Sequence, residues 1–305
     1  MIAIGFDTSN YTTSCASFDG AEGRNVSRLL PVKPGALGLR QSDALFHHIK
    51  RLPELSDSLF ASIPAAQIGA VGVSTRPRAV EGSYMPCFLA GESTARTLAS
   101  ALHVPLYCFS HQQGHIAAAL YSAARMELLG SSFLAWHLSG GTTELLLVNT
   151  EDGEIRCTRI GGTTDISAGQ LIDRTGQLLG LDFPAGKALD ALAAEDDGKD
   201  LFRVRLNGTE FSFSGLENQV RDHYARTQNP AATAGFALRS VAYAVRRATL
   251  AAEQTSPYPV VFSGGVASNS LLRRTLSDLD CVFAEPACST DNALGVAVLT
   301  YLREA

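Results

Sequence analysis

The stretch MIAIGFDTSNYTTSCASF at positions 1–18 decides the fold, because its pattern returns as FLAWHLSGGTTELLLV at positions 133–148. In each stretch a short apolar run enters a turn rich in Ser, Thr, Asn or Gly, and a second apolar run leaves it. Asp-Gly turns follow both stretches, at positions 19–20 and 152–153. Apolar runs bounded by such turn residues are typical of β-hairpins. Two equivalent hairpins, each opening about half of the chain, predict a duplicated domain.

The rest of the chain alternates between helical and strand-like patterns, which favours layered α/β lobes. Helices are predicted at 44–62, 91–102, 167–179, 230–253, 269–279 and 291–302, and buried strands at 68–74 and 260–263. No low-complexity linker separates the halves. We therefore expect two lobes packed around a cleft. The first covers residues 1–110 and is completed by a C-terminal helix at 291–305, and the second covers residues 111–290.

Composition excludes several classes of protein. Hydrophobic residues make up 46% of the 305 residues and charged residues 18%, which excludes a disordered chain. The formal net charge of −5 excludes a protein that holds nucleic acid by its overall charge. No signal peptide and no apolar run of about 18 residues is found, so we expect a cytoplasmic protein without a membrane partner. The six cysteines form no CxxC pair and are interpreted as reduced thiols.

Glycine-rich turns provide candidate phosphate sites. Ser139, Gly140 and Gly141 offer backbone amides that no Cβ obstructs, and Asp7-Thr8-Ser9 offers a carboxylate and hydroxyls. Gly264 and Gly265 lie between a predicted strand and a helix start, where a flat ligand can approach the backbone. The spacing matches neither GxGxxG nor GxxxxGK[ST], so Rossmann and P-loop folds are excluded. The combination indicates a duplicated actin-like or sugar-kinase-like ATPase (ASKHA, ribonuclease H-like) fold.

The histidine pair His111 and His115 is the clearest metal signal. On a helix, two residues four apart project from one face at about 6 Å and can bind one ion. Asp291 is the candidate third ligand, although a pair of structural histidines without metal fits the same spacing. The adjacent His47 and His48 point in different directions and are interpreted as surface residues. Short basic spots at 76–78, 246–247 and 273–274 are interpreted as solvated faces.

Three longer motifs carry a family resemblance. They are AGQLIDRT at 168–175, LGLDFPAG at 179–186 and FSFSGL at 211–216. Together with GFDTS at 5–9, the HxxxH of His111 and His115, and STDN at 289–292, they cover nearly the whole chain. The sequence resembles the TsaD/YgjD family of tRNA adenosine threonylcarbamoyltransferases, formerly called glycoproteases.

The resemblance implies a set of ligands and partners. It implies that His111, His115 and Asp291 bind iron or zinc, and that an adenine nucleotide or threonylcarbamoyl-adenylate is the second cofactor. The positions that hold the adenylate correspond to residues 137–141 with Asp173, Gly186 and Asn269. A TsaB-like subunit of related fold or a second copy is the expected partner, with tRNA bound weakly by the chain alone. No catalytic residue is assigned.

Departures from the family pattern leave a second function open. Tyr11 and Thr12 stand where the family has two acidic residues, and Thr142 stands where it has a histidine. Residues 75–84 replace a glycine-rich loop. The first hypothesis is therefore a metal-dependent carbamoyl transferase, and the alternative is a non-catalytic or altered-substrate paralogue that binds nucleotide and a partner protein. A small-molecule kinase of the same architecture would need a carboxylate base near its acceptor, and the sequence offers no placed candidate.

Overall fold

The computed structural model describes residues 1–9, 11–31, 39–151, 154–285, 288 and 291–305. The chain divides into two units. The first contains Met1–Met126 and Thr290–Ala305, and the second contains Glu127–Ser289. This division differs from the expected boundary after residue 110, because helix α3 (His111–Ser122) belongs to the first unit.

The first unit is built on a five-stranded sheet. Strands β1 (Ile2–Asp7), β2 (Thr12–Phe18) and β3 (Gly23–Leu29) pair antiparallel, and β4 (Ile68–Arg76) and β5 (Leu106–Ser110) continue the sheet from β1 in parallel. The spatial order is β3-β2-β1-β4-β5. The first predicted hairpin is confirmed, with Ala3 opposite Phe18 and Asp7 opposite Ser14.

Helices cover this sheet and bury its apolar side chains. Helix α1 (Gln41–Phe60) packs on β2 and β3, and helix α2 (Phe88–Leu102) packs on β4 and β1, around a core that includes Ile4, Phe6 and the valines of β4. Helix α3 and the C-terminal helix α9 (Leu294–Glu304) pack against each other, and α9 also contacts β1 and β4. The described helices include none that is long and apolar enough to cross a bilayer.

A glycine lets α3 and α9 approach closely. A Cβ atom on Gly295 would lie 1.9 Å from the carbonyl oxygen of Gly114 and 2.7 Å from the amide nitrogen of Ala118. Only glycine fits there without moving a helix backbone. The contact joins the helix that carries both predicted histidine ligands to the helix that follows Asp291.

The second unit repeats the strand order of the first. Its hairpin β6 (Phe133–Leu138) and β7 (Thr143–Glu151) continues into β8 (Glu154–Thr163), and β11 (Val260–Ser263) and β12 (Cys281–Phe283) extend it in parallel. The order β8-β7-β6-β11-β12 matches that of the first unit strand for strand. The short strands β9 (Leu206–Asn207) and β10 (Glu210–Phe211) add to the β8 edge. The predicted duplication is therefore confirmed.

Capping residues determine where two helices of the second unit begin. Ser167 and Gln170 form a reciprocal capping box before α4 (Ala168–Leu178). Asn229 caps α7 (Pro230–Glu253), whose first residue is proline. Helices α5 (Gly186–Ala193) and α6 (Ser214–Thr227) join these around a core in which the Trp136 indole donates a hydrogen bond to Thr249 Oγ1 of α7 at 2.9 Å.

Local hydrogen bonds change the bounds of two predicted helices. The helix predicted at 291–302 starts at Leu294, because the Asn292 side chain accepts from the Leu294 amide and holds 291–293 outside the helix. The helix predicted at 269–279 is α8 (Ser270–Thr275), since its end closes in tight turns at 276–279. The predicted turn at 152–153 lies outside the described residues.

Gly295→Ala is expected to lower the free energy of unfolding by about 1–3 kcal/mol, because the new methyl group must displace a helix backbone. Urea denaturation measures the change. Gly130→Ala is the matched control, since a Cβ there meets no atom within 4 Å. Equal stability of the two variants would contradict the close contact between α3 and α9.

Candidate functional site

The predicted metal ligands converge in the first unit. Ser110 caps α3 in a capping box with Gln113, which fixes the start of the helix at His111. His115 follows one turn later, and its Nε2 lies 3.2 Å from Asp291 Oδ1. His111 Nε2 lies 3.5 Å from the same oxygen. The donor atoms of the three residues all lie within 4.8 Å of one another.

A fourth residue, Asp7, supports this cluster. It ends β1 and is buried, and its Oδ2 lies 2.9 Å from His111 Nδ1. Ser74 Oγ also donates to Oδ2, and the Ser9 amide donates to Oδ1 at 2.9 Å. Because Nδ1 of His111 faces Asp7, its Nε2 is the atom directed to the cluster. The sequence places Asp7 in a turn that can hold phosphate oxygens or a metal-bound water, and the end of a buried strand is the signal for its contact with His111.

The pKa of His111 depends on its burial and on two neighbouring carboxylates. Burial alone would lower the pKa of His111, but Asp7 and Asp291 outweigh it and raise the pKa to about 10. Burial raises the pKa values of Asp7 and Asp291, yet the contacts with His111 hold both below the usual range. The raised pKa favours the protonated form of His111 between the two carboxylates, and a metal ion bound at Nε2 would replace that proton.

The predicted phosphate residues of the second unit lie at one edge of its sheet. Ser139, Gly140 and Gly141 follow β6, and Gly264 and Gly265 follow β11, which pairs with β6 in parallel. Gly264 has φ of +91°, and its backbone passes Leu138 so closely that a Cβ would lie 2.3 Å from the Leu138 carbonyl oxygen. Gly264 is thus required by the backbone path and is buried, whereas Gly265 is exposed, and a Cβ there would meet no atom within 4 Å.

The start of α4 holds the 139–141 turn. Ser167 Oγ donates to the Gly140 carbonyl at 2.6 Å, and Thr143 Oγ1 accepts from the Ala168 amide at 2.8 Å. Gly140 and Gly141 are exposed, and no atom lies within 4 Å of a Cβ built on either. The turn is therefore held by hydrogen bonds on both sides while Gly140 and Gly141 stay exposed.

The other predicted adenylate residues have different surroundings. Asp173 accepts from the Ala185 amide at 2.9 Å through Oδ1, and burial raises its pKa. Gly186 begins α5 and has open space around its Cα. Asn269 instead caps α8 through Oδ1 and donates to Asp190 through Nδ2, so its side chain has a structural role.

The prediction that His47 and His48 are surface residues is wrong for His48. His48 is fully buried on α1, and its Nδ1 lies 2.8 Å from Thr13 Oγ1 of β2. Burial lowers the pKa of His48 to about 4 despite the nearby charge of Asp7. The two histidines do point in different directions on α1, but His48 points into the core, because it lies in line with the buried Ala44, Leu52 and Leu55.

The strand order defines the class of fold to which the protein belongs. Both units have the strand order of a ribonuclease H-like domain, and the class is that of the duplicated actin-like ATPase folds. Full-length HypF, solved in a phosphate- and nucleotide-bound form, matches with a TM-score of 0.66 at 15% identity, over 99% of this chain and 47% of that one. An activator of 2-hydroxyisocaproyl-CoA dehydratase from Clostridium difficile, solved with bound ADPNP, has a TM-score of 0.56 at 12% identity, covering 99% and 95%.

Sequence comparison then gives the family. The chain belongs to the TsaD family, tRNA N6-adenosine threonylcarbamoyltransferase, which matches residues 37–298. A relative from Sulfurihydrogenibium sp. (strain YO3AOP1) described by the same activity is 33% identical, over 99% of this chain and 90% of that one. The resemblance found in the motifs is confirmed.

The buried His48 predicts a pH-dependent stability. Its pKa is about 4 in the folded chain and about 6.5 in an unfolded one, so the unfolded state binds more protons between these values and stability falls as pH falls below 6.5. Between pH 7 and pH 5 this contribution is about 2 kcal/mol. His48→Asn, which does not titrate, is expected to reduce the acid loss by that amount in urea denaturation. Equal pH dependence in the variant and the wild type would contradict a neutral buried His48.

Proposed function

We propose that this protein transfers a threonylcarbamoyl group from threonylcarbamoyl-adenylate to N6 of an adenosine in tRNA, with the help of a bound iron or zinc ion. Family membership supports the reaction class. The observation that carries the proposal is the convergence of His111, His115 and Asp291 beside the buried Asp7. A fold of this class does not by itself need such a cluster.

The donor set suits the proposed metal. Two imidazole nitrogens and one carboxylate oxygen are ligands that both zinc and ferrous iron accept, with further positions left for water or substrate. When bound, such an ion would supply Lewis acidity to polarise the carbamoyl carbonyl. His111 would bind through Nε2, since its Nδ1 faces Asp7.

Asp7 acts through His111 as a positioning residue. A carboxylate that accepts from one ring nitrogen fixes the tautomer and the orientation of a ligating histidine. The Asp7 carboxylate is itself held by Ser74 and by the Ser9 amide, so the imidazole cannot rotate without breaking a buried network.

The second unit supplies groups suited to the adenylate. The exposed amides of Gly140 and Gly141 can donate to phosphate oxygens, and the open backbone at Gly265 admits a flat base. Asp173 has one oxygen engaged with Ala185, and its other oxygen can accept from a ribose hydroxyl. In the transfer, N6 forms a bond to the carbamoyl carbon, the bond from that carbon to the phosphate oxygen breaks, and AMP leaves while N6 loses a proton.

Partner subunits enter the proposal through the departures from the family. Thr12 is buried and Tyr11 is half-buried. Neither side chain provides the negative charge of the acid that the family has at its position. General acid or base help contributes about 10²–10⁴ in rate, so the chain alone is expected to modify tRNA poorly. A TsaB-like subunit or a second copy of the chain would supply what the isolated protein lacks.

Metal binding is expected to release a proton. With the pKa of His111 at about 10, binding of one zinc ion at pH 7 should release about one proton, and affinity should rise with pH. Calorimetry in buffers of different ionisation enthalpy measures the number released. His111→Ala and Asp291→Ala are expected to abolish stoichiometric zinc binding, while the control His47→Ala keeps it. Unchanged binding in the first two variants would contradict the metal site.

Modification of tRNA tests the function itself. Purified protein is given threonylcarbamoyl-adenylate and unmodified tRNA, with and without a TsaB-like subunit, and threonylcarbamoyladenosine is measured by mass spectrometry. Product is expected with the partner. Asp7→Asn should lower the rate about 10- to 100-fold, because the orientation of His111 is lost.

Absence of product in every combination, with the adenylate still bound, would reject the transferase. The alternative of a non-catalytic or altered-substrate paralogue would then stand.

A further inference from the structure

The segment 76–87, which joins β4 to α2, is attached to the candidate metal centre at both ends. Two residues before its start, Ser74 donates to Asp7, and within it the Pro77 carbonyl accepts from the amide of Gln112, the residue after His111, at 3.1 Å. At its end, the Cys87 carbonyl accepts from Thr8 Oγ1 at 3.0 Å. The ring of Phe88, the next residue, lies 6.2 Å from that of His111. Both ends of the segment therefore lie beside the predicted metal ligands.

An irregularity in β4 directs the start of this segment. The register between β4 and β5 shifts between Ser74 and Arg76, so that Arg76 is opposite Ser110, the residue before His111. Bulges of this kind redirect a side chain and occur often beside active sites. Ser74 donates to Asp7, and Arg76, two residues further along β4, is exposed.

The segment is ordered by its own hydrogen bonds. Ser83 Oγ accepts from the Arg78 amide at 3.0 Å, and the Ser83 amide donates to the Val80 carbonyl at 3.3 Å. These bonds close a small turn before the chain continues through Tyr84. A surface held in one conformation loses little entropy when it binds a ligand.

The segment exposes cations and an aromatic ring together. Arg76 and Arg78 are exposed, and the exposed fraction is 63% for Tyr84 and 52% for Val80. Arg76 and Arg78 together with Glu81 give the segment one net positive charge, whereas the whole chain has a net charge of −5. An exposed tyrosine contributes little to the core, whereas arginine and tyrosine together suit phosphates and unpaired bases.

We propose that segment 76–87 binds the RNA acceptor, with Arg76 and Arg78 contacting phosphates and Tyr84 stacking on an unpaired base beside the metal centre. This inference rests on the proposed function for the identity of the acceptor. It changes the interpretation of 76–78 as a solvated face, because sequence alone does not show that both ends of the segment reach His111.

Titration of fluorescent unmodified tRNA with the full chain tests the proposal. Arg76→Gln/Arg78→Gln is expected to make the slope of log K against log salt shallower by about 1.4, at about 0.7 for each phosphate that one of the two arginines neutralises. Tyr84→Ala should weaken binding about tenfold on tRNA, and should have no effect on a blunt RNA duplex without unpaired bases. Zinc content is measured in each variant to show that the metal centre is intact.

Matched controls lie in the second unit. Arg247 is exposed on α7 and Tyr258 is 40% exposed, so Arg247→Gln and Tyr258→Ala remove the same chemistry elsewhere. Neither is expected to change the affinity or the salt slope. Affinities that fall equally in controls and segment variants would overturn the proposal.

Two further outcomes separate this proposal from the proposed function. Loss of binding in the segment variants without any tRNA modification by the wild type would reject the transferase and keep the RNA site. Modification with unchanged tRNA affinity in the segment variants would reject the RNA site and keep the transferase. If the wild type binds no tRNA, or the variants lose only a partner protein, the RNA site is also rejected.

Discussion

The first unit depends on one partly buried interaction, the imidazole of His111 held between the carboxylates of Asp7 and Asp291. Three separate parts of the chain supply these groups: the end of β1, the start of α3 and the residues before α9. Buried charges of this kind are costly unless each has a partner, so the backbone of all three parts must be fixed. The capping box of Ser110 and the glycine contact between α3 and α9 provide that fixation.

The two units use the same topology for different chemistry. At the end of β1 the first unit has Asp7, a carboxylate directed at a histidine. At the end of the equivalent strand, β6, the second unit has the exposed glycines Gly140 and Gly141, whereas the Ser139 amide donates to the Thr142 carbonyl at 2.8 Å. The equivalent strand ends thus carry a cluster of titratable side chains in one unit and a glycine turn in the other.

Local signals predicted the parts of the fold that capping and periodicity determine. The limits of α7 and β11 are correct because Asn229, Pro230 and the glycine pair mark them in the sequence. The start of α9 was misplaced because the Asn292 side chain competes for a backbone amide. The burial of His48 and the role of Asp7 depend on contacts between residues far apart in sequence. The spacing of residues along the chain does not predict such contacts.

The departures at Tyr11 and Thr12 have an electrostatic consequence. With His111 protonated, the cluster of His111, Asp7 and Asp291 has one net negative charge, and a divalent ion with neutral histidines leaves it without net charge. Two further acids at positions 11 and 12, as in the family pattern, would add two negative charges to that balance. In the transferase proposed above, their absence would reduce the repulsion of an adenylate phosphate or an RNA backbone and would also remove groups that could move protons. A partner that supplies an acid–base group is for this reason part of that proposal.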